Sequence, residues 1–130
     1  GNAENSAPEY SFHWKGQDDE LYLFEAPIDM LSYISMNQDN WRTHSYAAAC
    51  CTSDKVLFQM LEDNPNIKQV FICFDNDAPG QAAAKRTSDK LFLKGIESEI
   101  LVPRLKDWNE DLLCPQEESE VEEPCQVFGL

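Results

Sequence analysis

The sequence predicts an α/β protein of the doubly wound kind, in which a mainly parallel sheet of about four strands is flanked by helices. Short apolar runs alternate with longer segments whose apolar residues recur at three- and four-residue spacing, which is the βαβ pattern. Proline near the helix starts, and glycine or proline after the helix ends, mark the boundaries. Because strands joined by helical crossovers lie parallel, this alternation indicates the fold class.

The first strand and the first helix follow residue 20. The run LYLF at 21–24 predicts a buried strand that ends at Glu25. Pro27 suits a first helical position, and a helix over about 27–36 follows. We expect this helix to pack on the sheet through a stripe at three- and four-residue spacing, formed by Ile28, Leu31, Ile34 and Ser35.

The second strand and the second helix occupy the middle of the chain. Residues 45–51 are apolar enough for a buried strand. A helix capped by Thr52 or Ser53 is predicted to follow and to end near Pro65. Its expected apolar face consists of Val56, Leu57, Met60 and Leu61.

A third helix separates the last two predicted strands. The strands are residues 68–74 and 97–103, and the helix between them covers 79–93. Pro79 lies near the start of this helix, and Gly95 lies just past its end. These segments complete a βαβαβαβ order.

The composition limits the classes of function. The chain has 130 residues, enough for one domain with a core, and no apolar run approaches the roughly 18 residues that a membrane span needs. Its net charge is −14, from 24 acidic and 10 basic residues. Because affinity for nucleic acid depends on neutralising phosphates, contact with DNA or RNA requires metal ions or neighbouring domains. The five cysteines are odd in number and include no C-x-x-C pair, so we expect a reducing, cytoplasmic location.

The two ends differ from the middle of the chain. Residues 1–19 are polar with alternating aromatic residues, which predicts an N-terminal arm or an edge strand. Residues 114–130 are rich in acids, which predicts a solvated acidic tail. The leading Gly1 and the absence of a signal-peptide pattern favour a piece of a longer protein.

Acidic side chains follow two of the predicted strands. Glu25 ends the first strand, and Asp75 and Asp77 follow the third. In open parallel sheets the carboxyl ends of the strands form the ligand site, so these acids converge if the two strands are neighbours. Like charges about 4 Å apart repel by roughly 4 kcal/mol at an effective dielectric near 20. Either one carboxylate holds a proton, or a hard cation such as Mg²⁺ or Mn²⁺ binds between them.

Acids in these positions also occur in other settings. Acids after strands often cap the next helix, and Asp77 stands two residues before Pro79, so capping stays open as an alternative. The stretch DNDAPG begins like an EF-hand loop, but Pro79 and Arg86 stand where calcium ligands are required. A phosphatase of the haloacid-dehalogenase type has its D-x-D on the first strand and followed by threonine, unlike this chain. A response-regulator receiver also has its acidic pair after the first strand.

Two of the stretches described above resemble the Toprim domain, the catalytic module shared by DnaG-type primases, topoisomerases and certain nucleases. LYLFEAPIDMLSY is similar to the element of that family in which a glutamate ends a strand and an aspartate follows four residues later, here Glu25 and Asp29. Ala26 stands where the family usually has glycine. VFICFDNDAPGQAAAKR resembles the D-x-D-x-x-G element, with Asp75, Asp77 and the turn glycine Gly80 in step.

A third stretch, VPRLKDWNEDL, resembles the downstream K-D-P-D/N-E element of the primase-type members. Trp108 replaces the usual proline, and Asn109 occupies a position often held by an aspartate, which leaves one charge fewer for a second metal ion. This variant is most like the Toprim domains in primase-like proteins of bacterial plasmids and mobile elements. The resemblance covers 20–113. Taken alone, Asp107 with Glu110 is also the capping box of a short helix, and Asp29 could simply oppose a helix dipole.

The resemblance implies a Rossmann-like fold and Mg²⁺- or Mn²⁺-dependent nucleotidyl transfer or phosphodiester chemistry, with primer synthesis on DNA as the leading reaction. The catalytic residues it implies are Glu25, Asp75 and Asp77. The metal ligands it implies are Glu25, Asp29, Asp75, Asp77 and Asp107. The candidates for phosphate or nucleic-acid contacts are Lys106, Asn109 and Arg86.

Two alternatives to primer synthesis stay open. One is a non-catalytic module that binds metal or nucleic acid within a larger mobile-element protein, and the other is a Toprim nuclease. In each case DNA or RNA and nucleotides are expected to be bound through other domains of a longer chain, because this chain is acidic.

Overall fold

The computed structural model of the protein describes residues 12–49 and 54–115. Its strands are β1 His13–Trp14, β2 Glu20–Phe24, β3 Ser45–Ala48, β4 Gln69–Cys73 and β5 Glu97–Ile100. Its α-helices are α1 Pro27–Met36, α2 Lys55–Asp63, α3 Ala78–Leu93 and α4 Trp108–Leu113. A short 3₁₀ helix, Trp41–Thr43, precedes β3.

The five strands form one sheet in the order β1-β3-β2-β4-β5. The strands β3, β2, β4 and β5 are mutually parallel, and β1 pairs antiparallel with β3. The predicted α/β class with a mainly parallel sheet is therefore confirmed. The fifth strand, β1, lies at the edge of the sheet, within the residues for which an N-terminal arm or an edge strand is predicted. It is held partly by the indole of Trp14, whose Nε1 donates to the Arg42 carbonyl at 3.2 Å.

Helices cover both faces of the sheet, because residues along each strand alternate between the faces. The core on one face joins the strands to α2 and α3 through Leu21, Leu23, Ala47, Leu57, Met60, Val70, Ile72, Ala84 and Leu91. The core on the other face joins them to α1 and α4 through Phe24, Met30, Tyr46, Ala48, Cys73 and Trp108. Glu25 and Asp75 thus follow strands from the centre of a three-layer body.

The buried face of α1 differs from the predicted one. Ile28 and Leu31 are 55% and 48% exposed, and Ser35 is also exposed, so the prediction is wrong for these three residues. The fourth, Ile34, does pack against the core. The buried residues are Asp29, Met30 and Ser32. The rotation has a physical cause in α4, which packs against α1. Polar contacts from α4 to Asp29 and Ser32 turn these residues inward, which apolar spacing alone does not predict.

The other helices begin and end close to the predicted places. Helix α2 ends at Asp63 and buries Leu57 and Met60. Its predicted caps, Thr52 and Ser53, and the predicted end of the preceding strand at 50–51 lie outside the described residues. Helix α3 begins one residue earlier than predicted, and Gly95 beyond its end has the left-handed φ of 76°.

Within residues 12–49 and 54–115, no helix combines the length and the apolar character that crossing a membrane demands.

Candidate functional site

The neighbouring strands β2 and β4 bring two acids to one edge of the sheet. Phe24 and Cys73 are paired in register, and the chain then leaves both strands at the same edge. Glu25 follows β2 directly, and Asp75 follows β4 after the buried Phe74. The backbone amide of Asp75 donates to Oε2 of Glu25 at 3.2 Å. The carboxyl edge of the sheet is where open α/β sheets bind ligands.

Gly80 marks the point around which three acidic residues gather. A β-carbon built on Gly80 would lie 2.4 Å from the Asp75 carbonyl oxygen, 2.8 Å from Oδ1 of Asp77 and 3.0 Å from Oε2 of Glu25. These distances leave no room for a side chain, so glycine is needed here for close approach. Glu25, Asp75 and Asp77 are therefore close neighbours, and we call them the carboxylate cluster.

The Asp77 carboxylate also caps α3. Its Oδ1 accepts a hydrogen bond from the Gly80 amide at 2.8 Å, and the Asp77 backbone is extended, as at an N-cap. The capping interpretation of this acid is therefore correct as far as Oδ1 is concerned. The second carboxylate oxygen of Asp77 is not used by this cap.

Asp75 carries an unsatisfied buried oxygen. Its Oδ1 is buried and has no hydrogen-bond partner among residues 12–49 and 54–115, although its backbone carbonyl accepts from the Gln81 side chain at 2.9 Å. An unpaired buried polar atom is costly, and a bound cation would satisfy it. Burial raises the pKa of the Asp75 carboxyl, the negative charges of Asp77 and Asp107 raise it further, and the Lys106 ammonium opposes them.

Glu25 is affected by the same accumulation of charge. Burial raises the pKa of its carboxyl, the hydrogen bond from the Asp75 amide lowers it, and the charges of Asp75, Asp77 and Asp29 raise it. Because the pKa values of two neighbouring carboxyls are raised, ionising all of these carboxyls together is unfavourable in the folded chain. A divalent cation or a shared proton removes that conflict.

Asp29, in the first turn of α1, is only 4% exposed. Its Oδ1 accepts the backbone amide of Asn109 at 3.1 Å. Burial raises the pKa of Asp29 to about 6, and the charges of Asp107 and Asp75 act in the same direction. The charges near the carboxylate cluster therefore act on Asp29, and its hydrogen bond to the Asn109 amide joins α1 to α4.

The loop before α4 lies against the loop after β4. The Asn76 amide donates to the Lys106 carbonyl at 2.7 Å, and the Asn76 side chain donates to the Pro103 carbonyl at 3.1 Å. Asp107 caps α4 by accepting the Glu110 amide at 2.8 Å. These bonds place Lys106 and Asp107 close enough to Asp75 for their charges to shift its pKa.

Asp111 supports this loop, although the sequence patterns did not single it out. It is buried, and its two carboxylate oxygens accept the backbone amides of Arg104 at 2.8 Å and Leu105 at 2.7 Å. The sequence signal is weak, because an acid one turn into a short helix is most often a solvated residue.

Two predicted contact residues lie elsewhere. The side-chain carbonyl of Asn109 accepts the hydroxyl of Ser32 at 3.2 Å, so this amide binds α1. Arg86, on the exposed side of α3, lines a cleft of about 150 Å³ with Asp54, Lys90 and Thr87. Lys106 is the member of the predicted trio that lies beside the carboxylate cluster.

The carboxylate cluster has the donor chemistry of a site for a hard divalent cation. Its donors are carboxylate oxygens, which Mg²⁺ and Mn²⁺ prefer, and one of them is Oδ1 of Asp75, which has no partner among the described residues. The residues that would hold the ion are Glu25, Asp75 and Asp77, with Asp29 and Asp107 near enough to add charge.

Comparison with known proteins gives one family and several similar structures. Residues 22–112 match the family model described as Toprim-like. An uncharacterized protein of Mycoplasma genitalium, MG010, is 30% identical over 96 residues, which are 72% of this chain and 42% of that protein. The chain therefore spans less than half the length of this curated relative.

Two solved structures from bacteriophage T7 are similar in fold. The primase fragment of the T7 primase-helicase protein superposes with a TM-score of 0.58 at 23% identity, over 77% of this chain and 40% of that one. The second structure is the T7 lagging-strand DNA polymerase interacting with primase domains of two gp4 subunits bound to an RNA/DNA hybrid and dTTP. It superposes with a TM-score of 0.57 at 22% identity, over 77% of this chain and 50% of that one. At these identities the likeness establishes the fold.

Proposed function

Because the chain belongs to the Toprim-like family, we propose that it is the catalytic module of a primase-like protein and carries out metal-dependent nucleotidyl transfer. The observation that supports this proposal is the carboxylate cluster. The carboxylates of Glu25 and Asp77 and the backbone carbonyl of Asp75 crowd around Gly80, and Oδ1 of Asp75 has no hydrogen-bond partner in the part of the chain that the structure describes. Mg²⁺ or Mn²⁺ held by these residues would neutralise charge that develops on a phosphate and lower the pKa of a bound oxygen nucleophile.

The side chains have different roles in this proposal. Asp75 and Asp77 are metal ligands. Glu25, whose pKa is raised chiefly by burial, is a ligand or the group that accepts and returns a proton. Asp29 and Asp107 adjust the charge of the cluster, and Asp107 also holds α4 in place by its cap.

Three polar residues complete the proposal. Lys106 contacts a phosphate, since it is exposed and lies beside Asp75. Asn109 positions Asp29 through its backbone amide and holds α1 through its side chain. Arg86 lines the cleft on α3, which contains no residue of the carboxylate cluster. A phosphate bound by Arg86 would therefore belong to a part of the nucleic acid away from the reacting group.

The chain is proposed to work inside a longer protein. With 24 acidic and 10 basic residues it repels polynucleotides, so template and nucleotides are bound by other, basic domains. The plasmid or mobile-element setting and the cytoplasmic location are parts of the proposal that rest on the resemblance in the K-D-W-N-E stretch and on the cysteine pattern.

One experiment separates this function from its alternatives. The full-length protein is incubated with single-stranded template, ribonucleotides and Mg²⁺, and the products are resolved on a denaturing gel. Primers that disappear with Asp75→Asn support the proposal. Shortened template strands that disappear with the same variant would replace it by a nuclease. Metal binding without any product would leave a non-catalytic binding module, which the strong net negative charge favours as the second candidate.

A further inference from the structure

A second group of metal-binding side chains lies at the opposite edge of the sheet. Glu20 is the first residue of β2, His44 directly precedes β3, and Asp18 precedes β2 by two residues. The carboxylate cluster, in contrast, follows the last residues of β2 and β4. We propose that Asp18, Glu20 and His44, here called the amino-edge triad, bind a transition-metal dication of the zinc class, independently of the proposed catalytic metal.

The donor atoms of the amino-edge triad already have the spacing of a ligand set. Nδ1 of His44 lies 2.6 Å from Oδ2 of Asp18 and 3.3 Å from Oε1 of Glu20, and all three donor atoms lie within 4.8 Å of one another. Two ligands on a tetrahedral zinc ion with bonds of about 2.1 Å are separated by about 3.4 Å. Small side-chain adjustments therefore suffice for all three to contact one ion.

The charges of the triad favour an ion over a hydrogen bond alone. One imidazole Nδ1 carries at most one proton, yet two carboxylates approach this nitrogen. With a protonated imidazole the triad retains one net negative charge, and with a dication and a neutral imidazole the charges cancel. The other oxygen of Asp18, Oδ1, accepts the Glu20 amide at 3.1 Å, which leaves Oδ2 for an ion.

The backbone around the triad is held firmly. The Asp18 amide donates to the Thr43 carbonyl at 3.0 Å, and the Asp18 carbonyl accepts from the Asn66 side chain at 2.9 Å. The His44 ring lies 5.5 Å from the ring of Tyr22. A site with ligands held in advance loses less conformational entropy on binding, as metal sites require.

The ligand types and the exposure decide the class of metal. An imidazole with two carboxylates suits zinc or cobalt better than magnesium or manganese, and zinc binds most tightly of these four. The three side chains are 24% to 33% exposed, so water can occupy the remaining coordination positions. An ion here would link the loop before β2, the start of β2 and the entrance to β3.

The test uses the tag-free full chain and zinc chloride. Isothermal titration should give zinc binding that His44→Gln and Glu20→Gln each weaken by about tenfold or more. The matched control is Asp19→Asn, which changes an exposed acid between two triad residues. This control should keep the zinc affinity of the wild type. Zinc should also raise the melting temperature of the wild type and of the control, and raise it less in the two triad variants.

Two further measurements separate zinc binding by the triad from misfolding of a variant and from zinc binding by cysteine. Glu20→Gln leaves the hydrogen bond between Asp18 and His44 intact, so its far-ultraviolet circular dichroism should match the wild type. Cobalt substituted for zinc should give visible bands without a thiolate-to-cobalt charge-transfer band, because the triad contains no cysteine. Zinc affinity in both folded triad variants equal to that of the wild type, the absence of zinc binding by the wild type, or a thiolate band would each overturn the proposal. Loss of primer synthesis in Asp75→Asn bears only on the carboxylate cluster.

Discussion

The backbone amide of Asp75 donates a hydrogen bond to Oε2 of Glu25, although the two residues are 50 positions apart in the chain. The contact exists because β2 and β4 are parallel neighbours that end at the same edge of the sheet. It orients one carboxylate oxygen of Glu25 before any ligand arrives. A site built in this way depends on the pairing of two strands, which makes its geometry as rigid as the sheet.

Asp75→Asn should abolish Mn²⁺ binding without unfolding the chain. The change removes a charge from a crowded acidic cluster, so the metal-free variant should melt slightly above the wild type. Calorimetric titration with Mn²⁺ and a thermal melt by circular dichroism measure the two effects. A large loss of stability in the metal-free variant would indicate that Asp75 is structural.

Asp77 can be tested for its two roles separately. Asparagine is a good N-cap, so Asp77→Asn should lose Mn²⁺ binding and keep the stability of α3. Asp77→Ala should lose Mn²⁺ binding and in addition about 1 kcal/mol of unfolding free energy, because the Gly80 amide loses its acceptor. Urea unfolding of both variants separates the roles, and equal stabilities would argue against the cap.

Asp29→Asn should stabilise the metal-free protein at neutral and alkaline pH. The pKa of Asp29 is raised to about 6 from a normal value of 3.8, so the folded state binds more protons than the unfolded state between these pH values. Wild-type stability therefore falls as the pH rises through this window, by up to about 3 kcal/mol for this group. The variant avoids this loss.

The measurement for Asp29 is urea unfolding over a range of pH. We expect the variant to exceed the wild type in unfolding free energy at pH 8 and to equal it below about pH 3, where the carboxyl is largely protonated in both states. A difference that does not change with pH would indicate an effect of the amide on packing instead.

Gly80→Ala should destabilise the protein and damage the carboxylate cluster together. The added methyl group would lie 2.4 Å from a backbone oxygen, so the start of α3 must shift, at a cost of about 1 to 3 kcal/mol. Mn²⁺ affinity should fall with it. Gly95→Ala is the control: its surroundings are open, but its φ of 76° is strained for alanine, so it should lose stability and keep Mn²⁺ affinity.

Trp108→Phe should cost about 1 to 3 kcal/mol of unfolding free energy. The indole Nε1 donates to the Cys73 carbonyl at 3.0 Å in a buried environment, and phenylalanine leaves that carbonyl without this donor. Trp14→Phe is a matched control, because its indole bond to Arg42 is exposed and water can replace it. Chemical denaturation should show the larger loss for Trp108→Phe, and equal losses would contradict the role given to the buried hydrogen bond.

The sheet and the placement of Glu25 and Asp75 at its carboxyl edge could be predicted, since both depend on local patterns. The contact between the two residues requires in addition that β2 and β4 are neighbours, which the local patterns leave open. The apolar runs and the prolines and glycines at the helix boundaries predict the βαβ order. In that order the strands are parallel, so their carboxyl ends lie at one edge of the sheet. The helix cap at Asp107 could also be predicted, because the capping carboxylate and the Glu110 amide that donates to it are three positions apart.

Contacts between distant segments could not be predicted in the same way. The inward rotation of Asp29 and Ser32 depends on Asn109 in α4, which lies 80 and 77 positions further along the chain. His44 lies beside Asp18, 26 positions earlier in the chain, only because of the turn before β3. The segment that leads into β3 has no periodic pattern of apolar residues, so the sequence does not predict the contact between His44 and Asp18.

The Asp77 carboxylate both caps α3 and belongs to the carboxylate cluster, so an ion bound in the cluster would affect the beginning of that helix. The Gly80 N–H is held by the same side chain that would bind the metal, so its rate of deuterium uptake should change when the cluster is filled. Hydrogen exchange of this single amide in the first turn of α3 therefore reports whether an ion occupies the carboxylate cluster. The measurement needs no attached fluorophore and no catalytic turnover.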